Sequence, residues 1–459
     1  MAKDENDKID KDERLSANEL TLVGLGAIIG AGFFLASSIS ILNAGPSVLL
    51  GFFFGALIMW QVFSALAEMS VAHPTSGSFR VYAEEALGHF FGYLSGWMYW
   101  VAGVLVMSSE VTASAIFTQW WFPNTSLWIF VAIYSLLIIG VNSLGVKDFG
   151  KIESFLAIIK VTALILFIVL GGLVFAGIFT EIKDIGIQNY FRHGGFFPNG
   201  FTGLFSSMMI ILLSFGGVVV VGMTSSETEE PAYDIPQAIK RIVFTLLFLY
   251  ITSLSLLLAL VPWNQISTDA SPFTLVFRLV NFPYAGSIMN FVILVAALSA
   301  MNAAMYAVTR VLASLAEAEE APAILADKNE DGVPFYALLA SSGGLVLAVI
   351  MSFLLPEKVY EYITSAAGFI LFFNWIIILF SQLKYRPILE KKFRDNFKFK
   401  MKGYPYSTWA TIIVIIAILL GSAQNFEQLV GLLGGIIIIL ILTVFYFILY
   451  SSVQIRDYL

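Results

Sequence analysis

Apolar residues run along this chain in long blocks parted by short polar spacers. The blocks are longer than a strand, and they lack the one-sided stripe of a surface helix. Twelve are predicted as helices, at about 20–43, 47–72, 90–120, 126–144, 152–178, 201–224, 240–261, 284–313, 334–355, 360–382, 407–423 and 428–450. Each approaches or exceeds the roughly twenty residues that cross a bilayer's hydrocarbon core, and the longest must tilt or protrude. The pattern predicts an all-α polytopic membrane protein of twelve transmembrane helices. An even number of crossings puts both chain ends on one side.

Composition sharpens this. Of 459 residues, 58% are hydrophobic and 12% charged, against about 25% charged in a soluble globular protein. Cysteine is absent, which excludes disulfide frameworks, thiolate metal sites and thiol nucleophiles. The net charge of −7 says little about partners, because the charges sit in loops and a tail. Residues 1–19 are polar and mixed in charge with no cleavable signal, and read as a disordered cytoplasmic tail. Residues 20–178 hold spans one to five and 201–382 spans six to ten. A basic loop at 383–406, spans eleven and twelve at 407–450 and a cytoplasmic C-terminus at 451–459 complete the chain.

Positive charge sets the orientation. With the N-terminus inside, the inner loops collect Arg80, Lys147, Lys151, Lys240, Arg241, Arg310 and Lys328, and "KYRPILEKKFRDNFKFKMKGY" adds eight more basic residues. The outer loops hold Lys183, Arg192, Arg278 and Lys358. The expectation is a cytoplasmic membrane protein with both termini cytoplasmic. Trp120, Trp121 and Trp263 fall at span ends, where interfacial aromatic belts form.

Within the first block stands "GAIIGAGFF". Gly26, Gly30 and Gly32 each cost a helix about 1 kcal/mol relative to alanine. A helix that unwinds in hydrocarbon is tolerated only where its freed backbone groups line a cavity or bind something. An unwound turn at Gly30-Ala31-Gly32 would offer N–H groups to a carboxylate, and its inner half would offer carbonyls to an ammonium. A zwitterionic amino acid fits that pair of ends. The alternative is a close helix crossing through small residues four apart. The sixth block carries a second interruption, "LLSFGGVVVV", with Gly216-Gly217 near its middle. Breaks in spans one and six match the discontinuous helices that secondary transporters place in two inverted repeats.

Several stretches carry a family resemblance. "GAIIGAGFFLAS", "AGPSVLLGF…ALAEMSVAHPTSGSFRVYAEEALG", "GYLSGWMYW", "SSETEEPAYDIPQAI" and "LSAMNAAMYAVTRVLASLAE" resemble the bacterial amino acid permeases of the amino acid–polyamine–organocation superfamily. The likeness is to the branch with the aromatic, lysine, GABA and proline permeases, and spans roughly residues 15 to 450. It implies a leucine-transporter-like five-plus-five inverted repeat with two added helices, an amino acid substrate and proton coupling. It also implies that Gly30, Ala31 and Gly32 meet the substrate carboxylate. Ala27, Ile28 and Ser214 then offer carbonyls to its amino group, with Gly216 and Gly217 alongside, and Phe215 closes over the ligand as an aromatic gate.

Charged residues inside the blocks are costly and point to function or pairing. Lys160, ten or so residues into the fifth span, corresponds in the resemblance to the position where sodium-driven relatives bind sodium. There it would bridge spans one and eight near Ser299 and Asn302; a structural ion pair is the other reading. Glu110 in the third span reads as a proton site or as a structural hydrogen-bond partner. Glu68 and Glu227 close spans two and six and read as caps or inner-gate locks. Arg80 reads as a solvated loop arginine or as half of a gate. The sixth span has Val219 where several relatives carry glutamate, and Ala102 and Gly103 replace bulkier residues in the third. The first removes a titratable group from the sixth span and the second widens the pocket, and together they favour a neutral, hydrophobic amino acid such as leucine, isoleucine, valine or phenylalanine.

Other classes fare poorly. An intramembrane enzyme needs an acid–base pair, nucleophile or metal ligands, yet His73, His89 and His193 all lie outside the blocks and no HExxH occurs. A channel needs a pore-lining charge ring or carbonyl filter, and a sensor needs a signalling surface that the short inner loops do not offer. The expected partners are an amino acid, a proton and the bilayer. No cofactor, metal or nucleic acid is expected, and the chain reads as a monomer or weak homo-oligomer. Proton symport is the expected coupling, with amino acid exchange as the alternative.

Overall fold

The first helix begins where side chains can replace missing backbone partners. Ser16 and Glu19 form a reciprocal capping box, Glu19 accepting from the Ser16 N–H at 3.0 Å, and this starts α1 (Ala17–Ile28). Residues 17–19, expected to belong to the tail, are thus already part of α1. The computed structural model describes residues 16–456 apart from 76, 145–148, 179–184, 218–227, 280–283, 331 and 395. Residues 1–15, Lys147, Lys183, Val219 and Glu227 lie outside that range.

After α1 the chain leaves helical geometry at Ile29 and Gly30, both extended. It resumes as α2 (Ala31–Phe34) and, past Leu35, as α3 (Ala36–Ala44). The apolar run from Ala31 to Ala72 holds 42 residues, about 63 Å of helix, roughly twice the hydrocarbon thickness. It divides at Gly45-Pro46. Gly45 has φ +60°, and a Cβ there would run into the Pro198 ring, so only glycine makes this corner. The chain then follows α4 (Val48–Ala72), α5 (Ser78–Leu87), α6 (His89–Gln119), α7 (Leu127–Ser143) and α8 (Phe149–Phe175).

The second half opens with α9 (Gly200–Leu213), only 14 residues long. It gives way to a run of i→i+3 bonds at Ser214, Phe215 and Gly216, so the regular helix of the sixth block stops just before its glycine pair. Next come α10 (Pro231–Leu260), a short α11 (Pro272–Leu279), α12 (Ala285–Glu317), α13 (Phe335–Leu354), α14 (Val359–Lys392), α15 (Tyr406–Ser422) and α16 (Phe426–Arg456). Among the described residues, eight helices are long and apolar enough to cross a membrane, and Ala17–Ile28, Leu127–Ser143, Gly200–Leu213 and Tyr406–Ser422 are shorter apolar helices. This is an all-α, multi-pass membrane architecture.

The core forms around α6, which packs most extensively on α12 and then on α14, while α3 and α4 pack on α9. The periphery exposes apolar side chains, as α16 does with Leu440, Ile441, Val444 and Phe445, a surface suited to lipid tails. On the side away from the basic loops, α11 lies across the broken first span. Phe273 meets Phe33 and Phe34 with ring centroids 5.2 and 5.5 Å apart, and Ser271 donates to the Phe34 carbonyl at 2.7 Å.

Candidate functional site

The two broken segments lie against each other. Ser214 Oγ donates to the Gly32 carbonyl. A Cβ on Gly217 would sit 3.0 Å from the Ala27 carbonyl oxygen and 2.7 Å from the Ile28 side chain. Glycine is needed there because two backbones touch, not because of its dihedral angles.

The unwound turn already holds a carboxylate. Glu110, buried on α6, accepts the Ala31 N–H through both oxygens at 3.1 and 3.0 Å, and the Gly32 N–H also interacts with it. A charged acceptor on freed N–H groups is a strong, charge-assisted contact. Gly30 leaves room for it, since a Cβ at that position would lie 2.6 Å from Glu110 Oε1.

Below the turn is a small cavity of about 80 Å³. Ala27, Ile28, Gly32, Tyr99, Ala102, Gly103, Glu110, Leu213, Gly216, Gly217, Ala300 and Leu371 contribute to its wall. Gly30 and Ala31 sit behind Glu110. Ser214 does not line the cavity, and its carbonyl accepts from Tyr250 OH at 3.3 Å. Phe215 does not lie over the cavity either. Fully buried, it packs on Phe52 and Tyr250 with centroids 6.0 and 5.5 Å apart. Tyr250 in turn stacks on Phe33 at 3.7 Å. On the far side of the turn, Tyr360 OH donates to the Ala31 carbonyl at 3.2 Å. Tyr360 also borders a larger cavity of about 740 Å³ that includes Leu35, Ile39 and Glu361.

Lys160 is fully buried and donates to the Gly26 carbonyl at 2.6 Å. Its second partner is Glu153 at 3.3 Å, and Glu153 accepts from Ser299 Oγ at 2.9 and 3.0 Å. Lys160 thus touches the first span directly and reaches the eighth through a carboxylate. Asn302 is elsewhere: its side-chain oxygen accepts from Asn142 of α7 at 2.8 Å, one turn along α12 from Ser299. Glu153 escaped the sequence reading, although its spacing carried a signal. Seven residues before Lys160, it lies two turns away on the same helical face.

Removing one partner of a buried pair strands the other's charge. Lys160→Ala is therefore expected to destabilise the protein by about 3–5 kcal/mol. Adding Glu153→Gln should recover much of that loss. A thermal melt in detergent checks both, and equal losses in the single and double variants would refute the pairing.

With the two breaks, a bound carboxylate and a buried cation gathered at mid-fold, similarity to known proteins becomes informative. The family model described as amino acid permease matches residues 19–455. The chain belongs to the amino acid permease family. It is 35% identical over 94% of its length, and of the relative's, to the uncharacterized amino acid permease YtnA of Bacillus subtilis. It is 35% identical over 92% of both chains to a gamma-aminobutyric acid permease of Escherichia coli. The aromatic amino acid transport protein AroP of Escherichia coli matches at 36% over 88% of both. Among solved structures, a manganese transporter from Eremococcus coleocola, in complex with an aromatic bis-isothiourea compound, superposes with a TM-score of 0.58. It covers 96% of this chain and 95% of its own at 12% identity, and so shares the fold. These relatives are named as permeases and transport proteins, so this permease is an amino acid transporter and not an enzyme.

The permease carries two further charged clusters on its basic face. Arg80 is not solvated: it donates to both oxygens of Glu320 at 3.2 Å, with Glu84 at 3.6 Å. His89 Nε2 lies 3.5 Å from the same Glu320, which burial holds above the ordinary carboxylate range while Arg80 and His89 pull it back. This ties the start of α6 to the segment after α12. Glu68 caps no helix. Buried on α4, it accepts from the Met401 N–H at 2.6 Å and Gln382 at 2.8 Å, with Arg386 at 3.4 Å. It pins the 383–406 loop to the helix bundle.

Proposed function

We propose that this permease moves a neutral, hydrophobic L-amino acid across the cytoplasmic membrane by alternating access and proton symport, with both termini cytoplasmic. The observation that carries this reading is the Glu110 carboxylate seated on the Ala31 N–H between the two helix breaks. A turn that binds one carboxylate can bind another. A proton on Glu110 removes its charge and frees the N–H groups of Ala31 and Gly32 for the substrate's carboxylate. The carbonyls of Ala27 and Ile28 then face its ammonium. Substrate and proton are thereby linked, because the turn favours one carboxylate at a time.

The wall supports a neutral side chain. Apart from Glu110 it is built of alanine, glycine, valine, leucine, isoleucine, tyrosine and serine, and a cationic substrate would need a second acid. AroP's name, as an aromatic amino acid transport protein, accords with an apolar pocket. Lys160 acts as a fixed cation that joins spans one, five and eight and stands in for a bound metal ion. The excess of lysine and arginine in the loops beside Arg80, Arg241 and 383–406 favours the cytoplasmic placement of that face.

The test is uptake into sodium-free proteoliposomes of a labelled mixture of neutral amino acids, with and without an inward proton gradient. Stimulation by the gradient is the expected result. Uptake that ignores the gradient but needs amino acid loaded inside would establish exchange instead.

A further inference from the structure

The loop between α14 and α15 is built as a surface. α14 runs ten residues beyond its apolar stretch, from 383 to 392, about 15 Å of helix past the membrane's hydrocarbon. The chain must then return to the bilayer by Tyr406, where α15 begins. Along the way "FKFKMK", residues 397 to 402, alternates. Phe397 and Met401 are 7% and 3% exposed, and Phe399 packs against the core. Lys398, Lys400 and Lys402 are all exposed.

The segment is held in this register from behind. Glu68 takes the Met401 N–H at 2.6 Å, and Arg386, itself paired with Glu68, donates to the Met401 carbonyl at 3.3 Å. With Phe397, Phe399 and Met401 turned inward, the three exposed lysines between and after them form a comb of ammonium groups on the outer side. Among the described residues, Glu390 is the acid paired with this segment, 3.6 Å from Lys400 with both side chains about half exposed, a pairing that neutralises little. Lys402 stands four residues from Tyr406 and seven from Trp409, which are 83% and 47% exposed and suit the headgroup layer.

We propose that Lys398, Lys400 and Lys402 form a docking site for the phosphates of anionic phospholipid headgroups in the leaflet next to α14 and α15. Charge sign, spacing and height above the membrane all match that ligand. The register held by Glu68 separates this site from a diffuse cloud of loop charge. The proposal is independent of what the permease carries.

The chain has no cysteine, so Asn396→Cys, at an exposed position, accepts a single donor dye. The permease is placed in nanodiscs of phosphatidylcholine and phosphatidylglycerol, with an acceptor on the headgroup of one lipid or the other. Energy transfer to phosphatidylglycerol should exceed that to phosphatidylcholine at least about fivefold, as expected for several cations at a charged surface. It should fall towards parity in 0.5 M salt and in the K398Q/K400Q/K402Q variant. Neutralising Lys391, Lys392 and Arg394 instead should leave most of the enrichment. Equal enrichment in the comb variant, or equal loss in the two triple variants, would overturn the site. Displacement by millimolar inorganic phosphate or glycerol phosphate would assign it to soluble anions and overturn it too. A thermal melt checks that both variants are folded.

Discussion

Gly30→Ala is expected to abolish uptake while leaving the permease in the membrane. The added methyl would lie 2.6 Å from Glu110 Oε1 and 2.8 Å from the Ala300 side chain, closer than either contact allows. Overpacking of this kind costs about 1–3 kcal/mol, too little to unfold a well-packed bundle. It would push Glu110 off the turn or push the turn off α12. A displacement of about 1 Å at a binding site costs on the order of 100-fold in rate, and that is the expected loss. Gly32 provides the contrast. A Cβ there meets nothing nearer than Ser214 Cα at 3.6 Å, ordinary contact, so Gly32→Ala should keep most of the uptake. Gly32→Leu, which would fill the 80 Å³ cavity, should lose it. Initial uptake rates in proteoliposomes, normalised to protein, decide the matter. Wild-type rates in Gly30→Ala would refute the assignment of the turn.

Glu110→Gln separates coupling from binding. The glutamine oxygen can still accept the Ala31 N–H, so the break keeps a partner and the fold should hold. What is lost is a charge that a proton can switch. Each pH unit is worth about 1.36 kcal/mol, so symport of one proton down a gradient of two units supports about 100-fold accumulation. In Glu110→Gln that ratio should collapse to about unity, while exchange of labelled for unlabelled amino acid continues. Concentrative uptake by Glu110→Gln, driven by the same gradient, would move the proton to another group. Loss of exchange as well would mean that Glu110 contributes to binding itself.

The broken helices were legible because the cause is local. Glycine pairs inside an apolar run weaken a helix wherever they stand, and both breaks fall at the glycines. Lys160 was equally visible, since a charge among apolar residues announces itself. Partner choice was not local. The Ala31–Glu110 contact joins positions 79 residues apart, and nothing near either residue specifies the other. Glu153 stands two residues past Lys151 at the polar start of its block, where a carboxylate does not stand out. In "SLAEAEEAP" three glutamates are chemically alike, and only the packing of α6 against the segment after α12 selects Glu320 for burial, at 6% exposure. Phe215 fits an aromatic gate by position, whereas its ring is engaged by Phe52 and Tyr250. Type and position are written in the chain; which of several similar groups is enclosed is settled when the helices pack.

The contracted cavity bears on how affinities for this permease are to be understood. On the reading given above, an amino acid does not enter a vacant seat. It must wait for Glu110 to leave and for the wall to widen beyond 80 Å³. A dissociation constant measured at equilibrium is then the intrinsic one divided by the fraction of molecules in the vacated form. Two related permeases with identical contacts to the same substrate could therefore differ widely in apparent affinity, according only to how readily each gives up its own occupant.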